Sequence, residues 1–166
     1  MNVILETERL RLREFNLTDT DFIINLLNSP GWLQYIGDRN VRTKEDAIQY
    51  LQNGPIKSYQ QNGFGLSMVE LKNGQQPVGM CGLLKRDTLE HPDIGFAFLP
   101  EQHGQGYAFE IAKATISFAR EKLNIEKLLA ITLPSNISSI KLLEKLGFSY
   151  VNPFHLNKEE LLLYSL

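Results

Sequence analysis

The chain has 166 residues, 43% of them hydrophobic and 22% charged, and a single domain of that size buries about 70% of its unfolded surface, enough for a core without disulfides or structural metal. A net charge of −2, with no basic run longer than two residues, excludes broad binding to nucleic acid or to anionic membranes. Cys81 is the only cysteine, and His91, His103 and His155 have no Cys or His partner nearby in sequence, so the chain spells neither a disulfide framework nor a zinc site.

The opening Met1-Asn-Val-Ile-Leu-Glu6 lacks the charged start and long apolar stretch of a secretory signal. Apolar runs such as Leu161 to Tyr164 fall far short of the roughly 20 residues that cross a bilayer. A soluble, cytoplasmic protein is expected. Alternation of charge and leucine from Arg9 to Arg13 predicts a first strand with Leu10 and Leu12 on one face. Thr18, with Asp21 three residues on, predicts the N-cap of a helix carrying Phe22, Ile23, Leu26 and Leu27, stopped by Ser29-Pro30-Gly31. Thr43 and Asp46 predict the cap of a second helix, broken or restarted at Gly54-Pro55 and ended by Asn62-Gly63. Between these helices lie Trp32 and Tyr35.

Phe64 to Leu71 and Pro77 to Leu84 are β-rich runs joined across Asn73-Gly74, a hairpin signal, and Asp93 to Leu99 extends them to a three-stranded meander. Glu101 to Gly106 then leads into apolar residues at helical spacing, Ala108 to Ala119. Leu128 to Leu133 is a further strand ended by Pro134. The helix Asn136 to Leu146 is closed by Gly147, and Phe148 to Val151 and Glu160 to Leu166 read as short final strands. No repeat or linker divides residues 1 to 166 into two domains.

A strand that runs through glycines into a helix aims unpaired backbone amides and the positive end of the helix dipole at one point, which attracts an anion. Gly104 and Gly106 stand where a phosphate must approach the backbone, with the amides of Gln105, Gly106, Tyr107 and Ala108 as donors. A nucleoside-triphosphate loop requires Lys-Ser or Lys-Thr after the second glycine, where Tyr107-Ala108 stands. A dinucleotide fingerprint requires Gly or Ala at 109, where Phe109 stands, and an acidic residue after the next strand, where Thr132-Leu133-Pro134 stands. Read alone, the two glycines also fit a plain tight turn.

The segment His103-Gly104-Gln105-Gly106-Tyr107-Ala108 resembles the pyrophosphate loop of the GNAT superfamily of acetyl-CoA-dependent N-acetyltransferases, with His103 where that pattern has Gln or Arg. Asn136-Ile-Ser-Ser139, followed by Leu143 and Leu146-Gly147-Phe148, is similar to that family's second conserved helix. Thr7-Glu-Arg-Leu-Arg-Leu-Arg13, Asp93-Ile-Gly-Phe96 and Gly106-Tyr-Ala-Phe-Glu110 resemble the branch of ribosomal-protein N-terminal acetyltransferases. The resemblance implies a single α/β (α+β) domain. Its central sheet would be mixed but mostly antiparallel, of about six or seven strands, splayed between the fourth and fifth strands and flanked by about four helices. The cofactor's pantetheine arm would enter the splay beside the backbone of Phe98 and Leu99.

The reaction implied is transfer of an acetyl group from acetyl-CoA to a primary amine, either a protein N-terminal α-amine or a small-molecule amine, in a ternary complex without a metal. An α-amine of pKa near 7.7–8.0 costs about 1 kcal/mol to deprotonate at neutral pH, against about 5 kcal/mol for lysine, so it suits a weakly basic site. Asp93 is the leading base, with Glu70 and Glu101 as alternatives. Many members use a tyrosine on the second helix for the leaving thiol. Leu143 stands there, which leaves Ser139 to hydrogen-bond the sulfur and Asn136 to orient the pantetheine amide or a water. Asn136 and Ser139 are equally good helix-capping residues. Lys113, Arg120 and Lys141 are candidates for a 3′-phosphate, Trp32, Tyr35 and Tyr59 for packing or for an acceptor groove, and Cys81 for an inert packed thiol. The chain's modest acidity suits a cationic acceptor. The alternative to an enzyme is a noncatalytic acyl-CoA-binding module, and a monomer or homodimer is expected in either case.

Overall fold

The computed structural model describes all of residues 1–166. Eight strands form one sheet: β1 (Val3–Glu6), β2 (Leu10–Arg13), β3 (Leu66–Leu71), β4 (Pro77–Leu84), β5 (Asp93–Phe98), β6 (Leu129–Thr132), β7 (Ser149–Leu156) and β8 (Glu159–Ser165). Their spatial order is β1-β2-β3-β4-β5-β6-β8-β7. Every pairing is antiparallel except β5 with β6. The sheet therefore has one strand more than the sequence suggests at its start. β1 pairs back on β2 through the short turn at Thr7–Arg9, where the Thr7 amide donates to the Leu10 carbonyl at 2.9 Å.

The six helices are α1 (Thr20–Leu27), α2 (Pro30–Tyr35), α3 (Lys44–Leu51), α4 (Lys57–Asn62), α5 (Tyr107–Lys122) and α6 (Ile137–Lys145). They cover the two faces of the sheet. Leu10, Leu12, Val69, Cys81 and Leu83 pack with Ile111, Ala112, Ile116 and Ala119 of α5 and Leu143 of α6. Met68 and Met80 face the other way and pack with Ile23, Leu26 and Leu27 of α1, Trp32 of α2, and Ala47 and Leu51 of α3. Alternation along the strands thus feeds two cores. Full burial of a side chain such as Ile111 contributes about 1.5–3 kcal/mol.

Three expectations are corrected. Helix α1 starts at Thr20, after Asp19, because Thr18 turns its amide and hydroxyl to Asn16 Oδ1 and the Asp19 carboxylate is taken by Arg13 at 2.9 and 3.0 Å. Ser29-Pro30-Gly31 does not only stop α1: Pro30 occupies the first position of α2, where its missing N–H costs nothing. The last two strands are long, because Asn157 and Lys158 both adopt positive φ (49° and 68°) and close a tight hairpin that places β8 between β6 and β7. Pro153 is tolerated in β7 because that strand is the sheet edge.

The expected cap at Thr43 is present, with the Asp46 amide donating to Thr43 Oγ1 at 3.1 Å and the Asp46 carboxylate accepting from the Thr43 amide at 3.0 Å. Gly54-Pro55 neither breaks nor restarts the helix cleanly. A π turn, Gln52–Ile56, joins α3 to α4, since Pro55 has no N–H to offer and a wider turn gives its ring room. No helix is long and apolar enough to cross a membrane.

Candidate functional site

β5 and β6 meet as parallel neighbours at one pair only, Asp93 with Leu129, where the Leu129 amide donates to the Pro92 carbonyl at 2.9 Å. Beyond that point β6 keeps its partner β8 and β5 keeps β4, so the two strands separate. The Leu99 amide donates to Val78 at 3.0 Å, which fixes the register of β4 and β5. In an antiparallel ladder the alternate residues, Phe96 and Phe98, then turn their backbone groups into the gap. His103 Nε2 lies 3.1 Å from the Phe98 carbonyl, leaving the Phe98 amide free.

A cleft of about 990 Å³ runs from this gap to the helices on the far face. Phe98, Gly104, Gly106, Tyr107 and Ala108 line it from one side, Asn136, Ser138, Ser139 and Leu143 from the other, and Asp93 sits at its base. Most of the residues singled out from sequence are thus brought together. Leu99 is not among them: its side chain is buried in the core beneath α1 to α3. Gln105 also lies outside the lining, with its carbonyl held by Arg9 Nη1 at 2.9 Å.

Gly104 and Gly106 have φ of +80° and +79°, the left-handed region that a side chain resists. This turn delivers the chain into α5 so that the first intrahelical amide taken is that of Glu110, by the Gly106 carbonyl. The amides of Tyr107, Ala108 and Phe109 remain unpartnered at the helix start, as an anion site requires. The turn is held from outside by a clasp that the sequence does not announce. The Glu110 carboxylate accepts from Thr7 Oγ1 (2.6 Å), the Arg9 amide (3.0 Å) and Arg9 Nε (2.7 Å), and the Arg9 guanidinium stands 4.7 Å from the centre of the Tyr107 ring. Burial works to raise the Glu110 pKa, but the hydrogen bonds from Thr7 and Arg9 outweigh it and hold the carboxyl below its ordinary value.

On the opposite wall Asn136 caps α6 by accepting the Ser139 amide at 3.3 Å, while the Ser139 hydroxyl has no protein partner. Asp93 is 1% exposed, and Arg86 Nε approaches its two oxygens at 3.1 and 3.2 Å. Burial pushes its pKa up, and the Arg86 charge opposes that rise. Glu70 is buried on β3 against Arg13 and Arg11 and does not reach the cleft, and Glu101 is exposed outside it. Of the acid candidates, only Asp93 lines the cleft.

Chains of known kind share this architecture. Residues 9–149 match the acetyltransferase (GNAT) domain family. The chain belongs to the GNAT acetyltransferase family. It is 26% identical over 147 residues to the uncharacterized N-acetyltransferase YoaA of Bacillus subtilis, a match covering 87% of this chain and 82% of that one. A second relative, the FsC-acetyl coenzyme A-N(2)-transacetylase of Aspergillus fumigatus, is 27% identical over 161 residues, 90% of this chain and 66% of that one. Among solved structures, an Agrobacterium tumefaciens acetyltransferase superposes with a TM-score of 0.83 at 23% identity, covering 100% of this chain and 94% of that one. RimL, a ribosomal L7/L12 alpha-N-protein acetyltransferase solved with coenzyme A, gives 0.84 at 16% identity, covering 99% and 97%. At such identities the likeness is one of fold.

The GNAT fold uses acetyl-CoA, and the left-handed glycines, free amides and opened strand edge of this acetyltransferase fit that molecule. Of the early aromatics, Trp32 and Tyr35 line the cleft. Tyr59 packs instead: its hydroxyl accepts from the Phe15 amide at 3.0 Å and donates to the Leu66 carbonyl. Cys81 is fully buried, and burial pushes its thiol up to about 12, so it is inert. Lining groups that sequence reasoning missed are Arg39, Tyr50, Lys57, Lys85 and Arg86. The last two follow β4 directly, and their position before Asp93 was the available signal.

Proposed function

We propose that this acetyltransferase binds acetyl-CoA with the pyrophosphate on the amides from Gly104 to Ala108 and the pantetheine arm along β5 at Phe98. It then passes the acetyl group directly to a primary amine, a protein N-terminal α-amine or a small-molecule amine. One observation carries the reading: the unpartnered amides at the start of α5 stand at the mouth of a gap between strands that pair only at Asp93.

Acetyl-CoA, when bound, supplies an activated thioester. The chain's own residues must then move a proton and hold a leaving group. The Asp93 carboxylate, held through both oxygens by Arg86 Nε, accepts the proton that the amine sheds as its nitrogen forms the new C–N bond, directly or through one water. As the C–S bond breaks, the unpartnered Ser139 hydroxyl donates a hydrogen bond to the sulfur. Asn136 positions Ser139 through the capping bond to its amide. Thiolate stabilisation of this kind suffices where no tyrosine is present, because Leu143 is 1% exposed in the core and offers no proton.

Calorimetric titration with acetyl-CoA, run on wild type and Gly106→Glu, tests the first half. Saturable binding by wild type alone is expected. Thiol release with a panel of amines then tests the second half, with Asp93→Ala and Ser139→Ala as controls. Binding without release on any amine would establish a noncatalytic acyl-CoA-binding module instead, and absence of binding by both proteins would overturn the whole reading.

A further inference from the structure

The charged groups on the cleft wall are unevenly matched. Arg39, Lys57, Lys85 and Arg86 line it, and Asp93 is the only lining carboxylate. The side chains of Arg39, Lys57 and Lys85 enter no ion pair or side-chain hydrogen bond. Arg86 spends Nε alone on Asp93, so both of its terminal amino groups are free beside the proposed base. Arg86 and Lys85 do not serve the pyrophosphate. They flank the first residue of β5, whereas the glycine loop follows its last, and five steps of about 3.3 Å put the two ends about 17 Å apart.

A further donor waits in the same wall. Trp32 is 5% exposed, and its indole N–H is buried without an acceptor, the one such side-chain atom in the chain. A buried donor left unpaired costs about 1–3 kcal/mol, so a ligand oxygen that reached it would recover that loss. The wall thus sets four Lys and Arg side chains against a single carboxylate, the reverse of what an acidic chain of net charge −2 suggests.

We propose that the acceptor is a primary amine carrying one or more carboxylates close to the reacting nitrogen: a free acidic amino acid or the N-terminus of an acidic peptide. The carboxylate meets the free amino groups of Arg86 while the amine faces Asp93, and further acidic groups meet Lys85, Lys57 and Arg39. This proposal rests on the acetyl-transfer reading for its direction, but it makes a separate claim about binding.

Trp32 is the only tryptophan, so its fluorescence reports occupancy of this wall whether or not acetyl transfer follows. The probes are three tripeptide amides with an N-terminal alanine followed by two glutamates, two glutamines or two lysines, together with free glutamate and free glutamine. Each is titrated onto the protein in saturating coenzyme A, and thiol release is followed separately with acetyl-CoA. With each exposed charge contact worth a few-fold, the glutamate probes should bind about tenfold more tightly than their glutamine counterparts. The lysine peptide should bind least. The double variant Arg39→Glu/Lys85→Glu should erase the preference while acetyl-CoA affinity stays the same, and added salt should erode it. Tighter binding of free glutamate than of the peptide identifies a small-molecule acceptor, and the opposite order a peptide. Equal or tighter binding of the lysine peptide, or no fluorescence change with any probe, would overturn the proposal. Binding of glutamate probes without thiol release would sustain it and defeat the acetyl-transfer reading.

Discussion

The two ends of the cleft are built by opposite means. At the glycine loop the cleft presents backbone amides held by left-handed turns, and the side chains nearby, Arg9 and Glu110, are spent on one another. Across the cleft, near α2 to α4, it presents side chains, with Arg39 and Lys57 in no ion pair and the Trp32 indole N–H without an acceptor. A backbone site recognises one constant group and tolerates little variation. A side-chain site can be re-specified by single substitutions, which suits the end proposed to read a variable acceptor.

Substitutions at each end should separate these roles. The largest effect is expected for Asp93→Ala, a fall in kcat of about 10²–10⁴ with acetyl-CoA affinity unchanged, measured by thiol release and calorimetry. The pH profile sharpens this. Burial raises the Asp93 pKa above its ordinary value of 3.8, and only the ionised form accepts a proton, so kcat/KM declines as pH falls through that raised value. The variant should lose this acid limb. Gly106→Glu comes next, with acetyl-CoA affinity lowered about a hundredfold, because a side chain is strained at φ +79° and a carboxylate replaces space meant for phosphate.

Glu110→Gln is smaller. It should raise the acetyl-CoA KM about tenfold and leave kcat nearly unchanged, since a charge-assisted contact contributes about 1.5–3 kcal/mol and the residue acts through the loop. Its titration runs opposite to that of Asp93. The depressed Glu110 pKa means that the clasp is fully present above the ordinary value of 4.5 and is lost as pH falls through the lowered one, so wild-type acetyl-CoA affinity should drop there. Burial of Asp93, by contrast, penalises its charged form, and that stability penalty disappears as pH falls. The smallest effect is expected for Ser139→Ala, a few-fold fall in kcat with the KM for both substrates unmoved, because the proposed role of its hydroxyl is confined to the leaving sulfur.

What could be read from sequence follows the same division. The glycine loop and the Asn136 helix are contiguous segments whose spacing carries their geometry, and both fall in place. The clasp was illegible, since Thr7 and Arg9 lie more than a hundred positions from Glu110 and charged residues in a first turn are commonplace. The acceptor wall was illegible too. Arg39, Lys57, Lys85 and Arg86 are of residue types that most exposed helices and loops carry, and only the fold turns them to one cleft. Glu70 misled because a carboxylate on a central strand looks chemical until Arg13 and Arg11 are seen to absorb it.

The π turn at Gln52–Ile56 gives the acceptor wall a phase as well as a composition. One extra residue in a helical turn rotates everything beyond it by about 100° relative to an unbroken α-helix. Lys57, Gln61 and Asn62 of α4 look into the cleft from beyond that turn. An insertion or deletion of one residue at Asn53 would turn a different set of side chains toward the acceptor and leave the glycine loop, on the opposite side of the sheet, as it is. The helix pair works as a dial: one position of backbone length selects which side chains line that wall of the cleft.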